Sequence, residues 1–389
     1  MAEPVRRGAC LLWAAAAAAL TLLWWALTVH YNYQGNWTAL YCTGEKWSVP
    51  AELSSENVYR FAGSTGFDGQ FYHYIAHDPL LRRGFWKHID APRLRYRRIL
   101  APGLAYLLAG GQDRYIDAAY LGVVLGFIFL GAWWLSRWGE VRLGQPAWGL
   151  GFALAPAALI SIDRLTVDGV LAALCVGFVI YARGGGTWRL YAVLILAGLT
   201  RETGLLLVVA CSAAALVRRQ WLRAALLSTS ALPTLAWYAY VQRHSPDWAG
   251  ATYEWVPFRG LARVIFHPPQ YPLAAPVAWL AHGLDYLALA GMLLCLYLAW
   301  RALRERRLGA TEIVIGLFAL VPIFLGTVAL WESVYSFGRT LTPLLLLVAV
   351  SGGPGKPWAA LLPLAMVTPR VLLQLGPQVV GIARGLLGW

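Results

Sequence analysis

Charged residues are scarce in this chain. Asp, Glu, Lys and Arg make up 13% of its 389 residues, whereas 59% are apolar, and the mean hydropathy is +0.55. A soluble globular domain carries roughly 25% charged residues, so the composition excludes that class. Apolar runs of about 20 residues recur, and each is long enough to cross the hydrocarbon core of a bilayer. The sequence therefore predicts an all-α, polytopic helical membrane protein.

Motifs for nucleotide binding and serine hydrolysis are missing as well. No Walker loop, G-x-S-x-G element or Rossmann glycine pattern occurs in a plausible context. Four of the five cysteines lie in apolar runs, and Cys42 is alone in the longest polar region. ATP-driven transport, serine hydrolysis and a disulfide framework therefore have no support.

Lysine is also rare, and most of the positive charge comes from arginine. The chain has 32 basic and 19 acidic residues, a net charge of +13, and its lysines are Lys46, Lys87 and Lys356. In a membrane protein this excess fits anionic lipid head groups or a phosphate-bearing lipid substrate, because the guanidinium fork matches a phosphate. A GC-rich genome gives the same preference for arginine, so a purely compositional cause stays open.

The apolar runs predict about 10 to 11 transmembrane helices in one transmembrane domain that covers residues 1–389. We place the spans at about 10–29, 114–135, 146–161, 167–183, 189–200, 203–217, 222–241, 277–300, 311–331 and 338–352, with a weaker one at 358–375. The runs 189–200 and 203–217 are short for a bilayer and meet at a polar pair, which predicts a helical hairpin with a buried apex.

The distribution of arginine predicts the topology. Short loops on one side hold most of the arginines, among them Arg137, Arg218 and Arg301, and cytoplasmic loops carry such an excess. We therefore expect a cytoplasmic N-terminus and an extracytoplasmic loop at 30–112. Amphipathic helices are expected in this loop, one of them at 99–110, lying on the membrane surface or packed on the bundle.

The segment 66–102 is the only long polar stretch, and it begins with a carboxylate. Asp68 precedes a predicted short helix at 69–78. It would serve as a general base for an acceptor hydroxyl at the mouth of a cavity, or as the N-cap of that helix. His73 and His77 have the i, i+4 spacing of a metal-binding pair, but no third ligand accompanies them. We expect a pair on the helix surface, with contact to a phosphate or sugar as the alternative.

Arginines crowd the second half of the same stretch. Segment 82–98 carries seven basic side chains and one acidic one, Asp90. These arginines would anchor the loop on anionic lipid or clamp a lipid-linked phosphate, and the residues alone do not separate the two. Further charged or polar residues lie at the predicted outer ends of spans, where they would pair with one another or face a ligand. They are Asp163, Arg164, Asp168, Arg201, Glu202, Glu332, Tyr335 and Arg339.

Several short motifs occur together in this order. They are Phe67-Asp-Gly-Gln-Phe-Tyr72, Arg95-Tyr-Arg-Arg-Ile-Leu-Ala-Pro102, Thr166-Val-Asp168, Leu199-Thr-Arg-Glu-Thr-Gly204 and the segment from Tyr335 to Arg339. With one span, a large loop and then many spans, the chain resembles the multi-spanning glycosyltransferases that use polyprenyl-phosphate sugars, the GT-C class. Within that class it is most similar to bacterial cell-surface glycopolymer proteins.

The resemblance implies an inverting hexosyl- or pentosyltransferase of the bacterial cytoplasmic membrane with an extracytoplasmic site. Its partners would be a polyprenyl-phosphate-linked sugar donor, a glycan, lipid or protein acceptor and membrane lipids, with no nucleic acid. Asp68 would be the catalytic base. No cofactor is indicated, and a divalent metal stays an open alternative. The expected substrate-binding residues are Gln70, His73, His77, Asp78, Arg95, Arg97, Arg98, Arg164, Asp168, Arg201, Glu202, Tyr335 and Arg339.

Three other functions remain to be distinguished. A transporter or flippase for lipid-linked glycans would use the same arginines without a base, although two similar halves, frequent in transporters, are not visible. A non-catalytic subunit of a polysaccharide assembly complex would use Asp68 only as a cap. A polymerase or ligase acting on lipid-diphosphate glycans would share the reaction type.

Overall fold

The computed structural model describes residues 7–246, 255–305, 308–331, 333–352 and 357–388. Within these ranges the chain is helical apart from loops and one two-stranded parallel ladder, which pairs Thr43–Gly44 with Arg60–Phe61. The predicted all-α, polytopic helical architecture is confirmed.

The first half of the chain holds the N-terminal helix, the large loop and the following helices. They are α1 Arg7–Asn32, α2 Asp68–His77, α3 Pro92–Arg97, α4 Leu100–Leu108, α5 Asp113–Leu143, α6 Pro156–Arg164, α7 Asp168–Gly184, α8 Thr187–Thr200 and α9 Leu205–Val217. The second half continues with α10 Trp221–Ser228, α11 Leu232–His244, α12 Arg259–Phe266, α13 Ala275–Glu305, α14 Ala310–Phe324, α15 Val328–Trp331, α16 Val334–Ser351, α17 Pro357–Leu373 and α18 Gly376–Leu387. Short 3-10 helices occupy Trp37–Tyr41, Ala51–Glu56, Phe85–His88, Pro146–Phe152, Glu202–Gly204 and Thr229–Ala231.

Each predicted span has a helix in its place, but fewer of these helices are long enough to cross a bilayer. Among the described residues, 4 helices (α1, α5, α13 and α16) are long and apolar enough, or up to 6 spans if each of two bent pairs counts as one. The continuous spans are thus fewer than the 10 to 11 predicted from apolar runs alone.

Helix breaks and short helices, such as α8, α9 and α14, account for the difference. In the predicted span 146–161, Pro156 begins α6 after a 3-10 helix, and the two segments meet at 55°. The predicted span 222–241 is divided by the 3-10 turn at Thr229–Ala231, after which Pro233 occupies the first turn of α11. Proline fixes its own backbone and removes a hydrogen-bond donor, which an apolar-run count does not register.

Helix α16 forms the centre of the bundle. Its residues are buried except Ser336, and it packs against α6, α7, α13, α14 and α17. Such a helix is apolar on almost every side because protein surrounds it. Arg339, near its beginning, is therefore a guanidinium group enclosed by other helices.

The large loop folds back into the protein. All residues of α2 after Asp68 are buried, so the expectation of an amphipathic surface helix is wrong for this element. Helix α4 packs on α5 and buries its first half, while Leu107 and Leu108 are 72% and 70% exposed. The loop thereby brings its polar side chains against the ends of α5, α7 and α16.

Candidate functional site

The backbone around Asp68 is shaped by two glycines. Gly66 has φ +71°, a conformation that favours glycine, and a side chain at Gly69 would meet the carbonyl oxygen of Arg164 at 2.1 Å. Between them, Phe67 is the extended N-cap residue and Asp68 is the first residue of α2. The interpretation of Asp68 as the N-cap is therefore wrong, and its carboxylate is directed to other partners.

Two arginines from distant segments hold the Asp68 carboxylate. Its Oδ2 lies 2.6 Å from Nη1 of Arg95 in α3 and 2.7 Å from Nη1 of Arg339 in α16. All three side chains are largely buried, with 13% exposure for Asp68 and 10% and 8% for the two arginines. A carboxylate from the loop thus joins the loop helices to the central helix of the bundle.

The ion pairs continue from Arg339 into the bundle. Its Nη1 lies 3.5 Å from Oδ2 of Asp168, the first residue of α7. Arg201, at the junction of α8 and α9, pairs through Nη1 with the other oxygen of Asp168 and through Nη2 with Thr340 Oγ1 at 3.3 Å. The predicted polar apex between α8 and α9 therefore faces protein.

A second branch runs along the loop. Arg95 donates two hydrogen bonds to Asp90, at 2.9 and 2.8 Å. Arg98 pairs with Glu202 at 3.2 Å and donates to the Tyr72 hydroxyl at 3.2 Å. We call the whole set the arginine cluster, which consists of Arg95, Arg98, Arg201 and Arg339 with Asp68, Asp90, Asp168 and Glu202.

The arginine cluster is charge-balanced and open on one side. Four guanidinium groups face four carboxylates, which is how buried charges are tolerated. Glu202 and Asp90 keep 30% and 31% of their side-chain surface exposed, whereas Asp168 keeps 3%. Solvent therefore reaches the loop edge of the cluster but not its interior.

The arginines determine the protonation state of Asp68. Burial alone would raise the pKa of this carboxyl, but the guanidinium groups of Arg339 and Arg95 outweigh it and hold the pKa well below its usual range. A nearby opposite charge favours the charged form in this way. Asp68 is thus a carboxylate, and it is a weak base while both arginines are paired with it.

Arg164 and Tyr335, both expected at the substrate, belong to a neighbouring cluster around Asp163. Arg164 Nε lies 2.9 Å from Asp163 Oδ2, so these adjacent residues pair with each other. The Tyr335 hydroxyl and Gln378 also donate to Asp163, at 2.8 and 3.0 Å. Phe67 separates the two clusters, with its ring against Tyr335 and under the Arg339 guanidinium.

Gln70 and Asp78 hold the loop together instead of facing the arginine cluster. Gln70 accepts from the Gly44 amide and donates to the Thr65 carbonyl. Asp78 accepts from the backbone amides of Arg82, Arg83 and Phe85. Short polar side chains that bond nearby amides stabilise turns in this way.

The basic run 82–98 divides into two groups, and only Arg95 and Arg98 enter the arginine cluster. Arg97 stacks on Tyr238, 5.1 Å from the ring centroid, and its buried Nε makes no hydrogen bond. Arg83 pairs with Asp113 at 2.7 Å. The expected role of Arg97 at a donor phosphate is therefore not supported by its position.

The two histidines of α2 are enclosed by protein. His73 and His77 are 0% and 1% exposed, so the expectation of a surface pair is wrong. They face Glu56 and Asp117 at the end of α2 away from Asp68. Glu332, grouped with Tyr335 and Arg339 from the sequence, lies outside the described residues.

Three partners in the arginine cluster were missed. Tyr72 and Asp90 lie within the polar segment, and Thr340 follows Arg339 directly. The one signal in the sequence was Asp90, the single acidic residue in the basic run. An isolated acid among many arginines is a candidate for pairing with one of them.

Comparisons of the chain with protein-family models, with curated proteins and with solved structures find no match. A function for this chain is therefore inferred from the geometry of the site.

Proposed function

We propose that the chain is an integral-membrane glycosyltransferase that moves a sugar from a polyprenyl-phosphate donor to an acceptor hydroxyl. The observation that carries this proposal is the contact of one carboxylate, Asp68, with arginines from two distant segments, one of which, Arg95, also pairs with the partly exposed Asp90. A base beside several phosphate-binding cations is what transfer from a lipid phosphate requires.

The arginines would bind the phosphate of the donor. Guanidinium groups form paired hydrogen bonds with phosphate oxygens, and a charge pair about 4 Å apart is worth roughly 4 kcal/mol at an effective dielectric near 20. Arg95 and Arg98 are closest to the exposed edge formed by Asp90 and Glu202. A phosphate that enters there meets these two arginines first.

Donor binding would also activate Asp68. In the resting cluster two guanidinium groups lower the pKa of this carboxyl and make it a weak base. A phosphate that attracts Arg95 and Arg339 weakens their contact with Asp68, and the carboxylate then gains basicity. The base would thus become competent only when the donor is bound.

The reaction itself would be a single inverting displacement. Asp68 takes the proton of the acceptor hydroxyl, and the acceptor oxygen forms a bond to the anomeric carbon. The bond between that carbon and the phosphate oxygen breaks, and the polyprenyl phosphate leaves with the electron pair. The arginines stabilise the charge that develops on the leaving phosphate.

The location follows from the same proposal. We place the protein in a bacterial cytoplasmic membrane, with the loop 30–112 and the arginine cluster on the extracytoplasmic side. Most arginines of the short loops lie on the other side of the membrane, and such an excess marks the cytoplasmic side. An acceptor glycan, lipid or protein would approach over the edge formed by Asp90 and Glu202.

The test is turnover by purified protein in lipid nanodiscs. A panel of synthetic polyprenyl-phosphate hexoses and pentoses is supplied with acceptor glycans, and release of polyprenyl phosphate is measured. We expect turnover with at least one donor and a loss of about 10²- to 10⁴-fold in Asp68→Asn, the usual contribution of a general base. Full activity of Asp68→Asn contradicts the role of this residue.

Two controls separate catalysis from folding. Asp68→Glu keeps the charge but displaces the carboxylate, so we expect a folded protein with low turnover. Asp90→Asn removes the more exposed partner of Arg95, and we expect its main effect on KM. Unfolding temperatures of all variants are measured alongside.

The rival functions give other results. A flippase moves the labelled lipid-linked sugar across liposomes without releasing polyprenyl phosphate, and a non-catalytic subunit does neither. A preference for lipid-diphosphate over lipid-monophosphate donors indicates a polymerase or ligase.

A further inference from the structure

Four ligand-type side chains converge at the second half of α2. Glu56 ends the 3-10 helix Ala51–Glu56, His73 and His77 lie one turn apart on α2, and Asp117 lies in the first two turns of α5. One ligand atom from each side chain lies within 4.8 Å of all the others. The histidine pair is visible in the sequence, whereas the two carboxylates come from other segments of the chain.

The ligand atoms of this cluster are buried and face one another. Both histidines are almost wholly inaccessible, and their Nε2 atoms lie against the carboxylate oxygens of Glu56 and Asp117. These atoms are shielded from solvent. Carboxylate oxygens and imidazole lone pairs only accept hydrogen bonds, and buried polar atoms are normally paired, so the arrangement indicates a shared cation or proton between them.

The distances fit a tetrahedral ion. His73 Nε2 lies 2.9 Å from Asp117 Oδ1 and 3.4 Å from Glu56 Oε2, and His77 Nε2 lies 3.5 Å from Glu56 Oε1. A zinc ion with bonds of about 2.0–2.1 Å holds its ligand atoms about 3.3–3.4 Å apart. The observed separations are close to that value, and one ligand atom from each side chain lies within 4.8 Å of the others, so a bound ion would draw the side chains inward.

The surroundings orient the histidines as metal ligands. His77 Nδ1 lies 2.9 Å from Asp113 Oδ1, which leaves Nε2 directed at the cluster. Metal-binding histidines usually donate their other N–H to a carboxylate in this manner. Tyr41 stacks on His73 with ring centroids 4.1 Å apart and limits its rotation.

We propose that Glu56, His73, His77 and Asp117 form a binding site for a divalent transition-metal cation, with Zn²⁺ the best match. Two imidazoles disfavour Ca²⁺ and Mg²⁺, which take oxygen ligands, and suit first-row transition metals. Four protein ligands whose ligand atoms are shielded from solvent make a closed, structural site.

The bound ion would fix the element that carries Asp68. It would link the loop, α2 and the beginning of α5 at one point. Its first ligand on α2, His73, follows Asp68 by five residues. These residues are positioning residues, because none of them contacts the arginine cluster. This role is independent of the reaction that the protein catalyses.

A proton is the rival occupant. Burial lowers the pKa of His73, but Asp117 and Glu56 outweigh this effect and raise it to about 9 when no cation is present. An imidazolium between two carboxylates would satisfy the same atoms without a metal. Metal content distinguishes the two.

The experiment uses full-length protein purified with a tag free of histidine and without chelators. We expect about one zinc per chain by elemental mass spectrometry. After chelator treatment we expect a lower unfolding temperature, and Co²⁺ addition should produce the strong visible absorption of a tetrahedral site. Wild-type protein that holds no metal, and takes up neither Zn²⁺ nor Co²⁺, overturns the proposal in favour of the proton.

Variants locate the site. His73→Gln and Asp117→Asn should each lower zinc affinity at least tenfold, and Asp113→Asn by about 10- to 100-fold through loss of the outer hydrogen bond. His88→Gln is the matched control, because His88 is in the same loop but bonds Ser48. An unchanged affinity in Asp117→Asn, or an equal loss in His88→Gln, contradicts the assignment. The wild-type Co²⁺ titration decides the question even if a variant does not fold.

Discussion

The two ends of helix α2 carry two buried polar clusters of opposite kind. At its beginning, Asp68 meets Arg95 and Arg339, groups that only donate hydrogen bonds. At its other end, His73 and His77 meet Glu56 and Asp117, groups that offer lone pairs. The two clusters therefore lie at opposite ends of one ten-residue helix. One consists of cations around a carboxylate, and the other consists of ligands for a cation.

The difference indicates what each cluster can accept. Guanidinium groups have no lone pair, so the arginine cluster can exchange its carboxylates only for another anion, such as a phosphate. Imidazole and carboxylate groups, which offer lone pairs, converge at the other end, so that cluster accepts a cation. The comparison can be tested with variants that remove a buried side chain and matched variants that remove an exposed one. The measured quantity is the loss in unfolding free energy.

The largest effect is expected for Arg339→Ala. Arg339 is 8% exposed and contacts both Asp68 and Asp168, so its loss leaves two buried carboxylates short of a partner. Breaking a buried ion pair in this way costs about 3–5 kcal/mol. The measurement is reversible unfolding in detergent, followed by helical circular dichroism.

The control is Arg301→Ala on α13. Arg301 pairs with Glu305 one turn away, and both side chains are more than half exposed. Water screens such exposed i, i+4 pairs, so we expect a much smaller loss of stability than in Arg339→Ala. Equal losses in the two variants would mean that water screens the arginine cluster, and the case for a desolvated site would fail.

A smaller effect is expected for Gly69→Ala, which acts on both clusters. The new Cβ would lie 2.1 Å from the carbonyl oxygen of Arg164 and 2.8 Å from that of Tyr41. These two oxygens belong to the backbone and cannot rotate away as a side chain would. Helix α2 must therefore shift, at a cost of about 1–3 kcal/mol. We also expect weaker zinc binding, since both histidines move with the helix.

Gly122→Ala in α5 is the matched control, because nothing lies within 4 Å of its added Cβ. We expect its unfolding free energy to stay within about 0.5 kcal/mol of the wild type. If Gly69→Ala is equally mild, α2 is not held against the bundle as closely as the structure indicates.

The sequence predicted the helical architecture better than the site. Each apolar run has a helix in its place, because the bilayer demands about 20 apolar residues for a span, although α12 and α18 lie outside the predicted spans. Asp68, Arg95, Arg201 and Arg339 were chosen from polarity and motif, and the structure brings them together. Their selection depended on charged groups being rare in this composition.

Pairings across the fold were not predictable. Gln70 and Asp78 share the polar segment with Asp68, yet they bond the loop backbone. Glu56 and Asp117 gave no signal, because one lies in an irregular loop and the other at the start of a span. Spacing along one helix reveals the histidine pair, whereas ligands from other segments depend on how the loop folds over the bundle.

The smallest effect on stability is expected from a change of pH, because arginines do not titrate in the accessible range. The folded pKa of Asp68 is depressed by Arg339 and Arg95, and the unfolded value is about 3.9. The stability that this carboxylate contributes is therefore fully present above about pH 4 and is lost only as the pH falls further. Between pH 8 and pH 5, the difference in unfolding free energy between wild type and Asp68→Asn should stay constant. A difference that shrinks between pH 7 and pH 5 would mean that Asp68 takes up a proton there, and that the arginines do not hold it ionised.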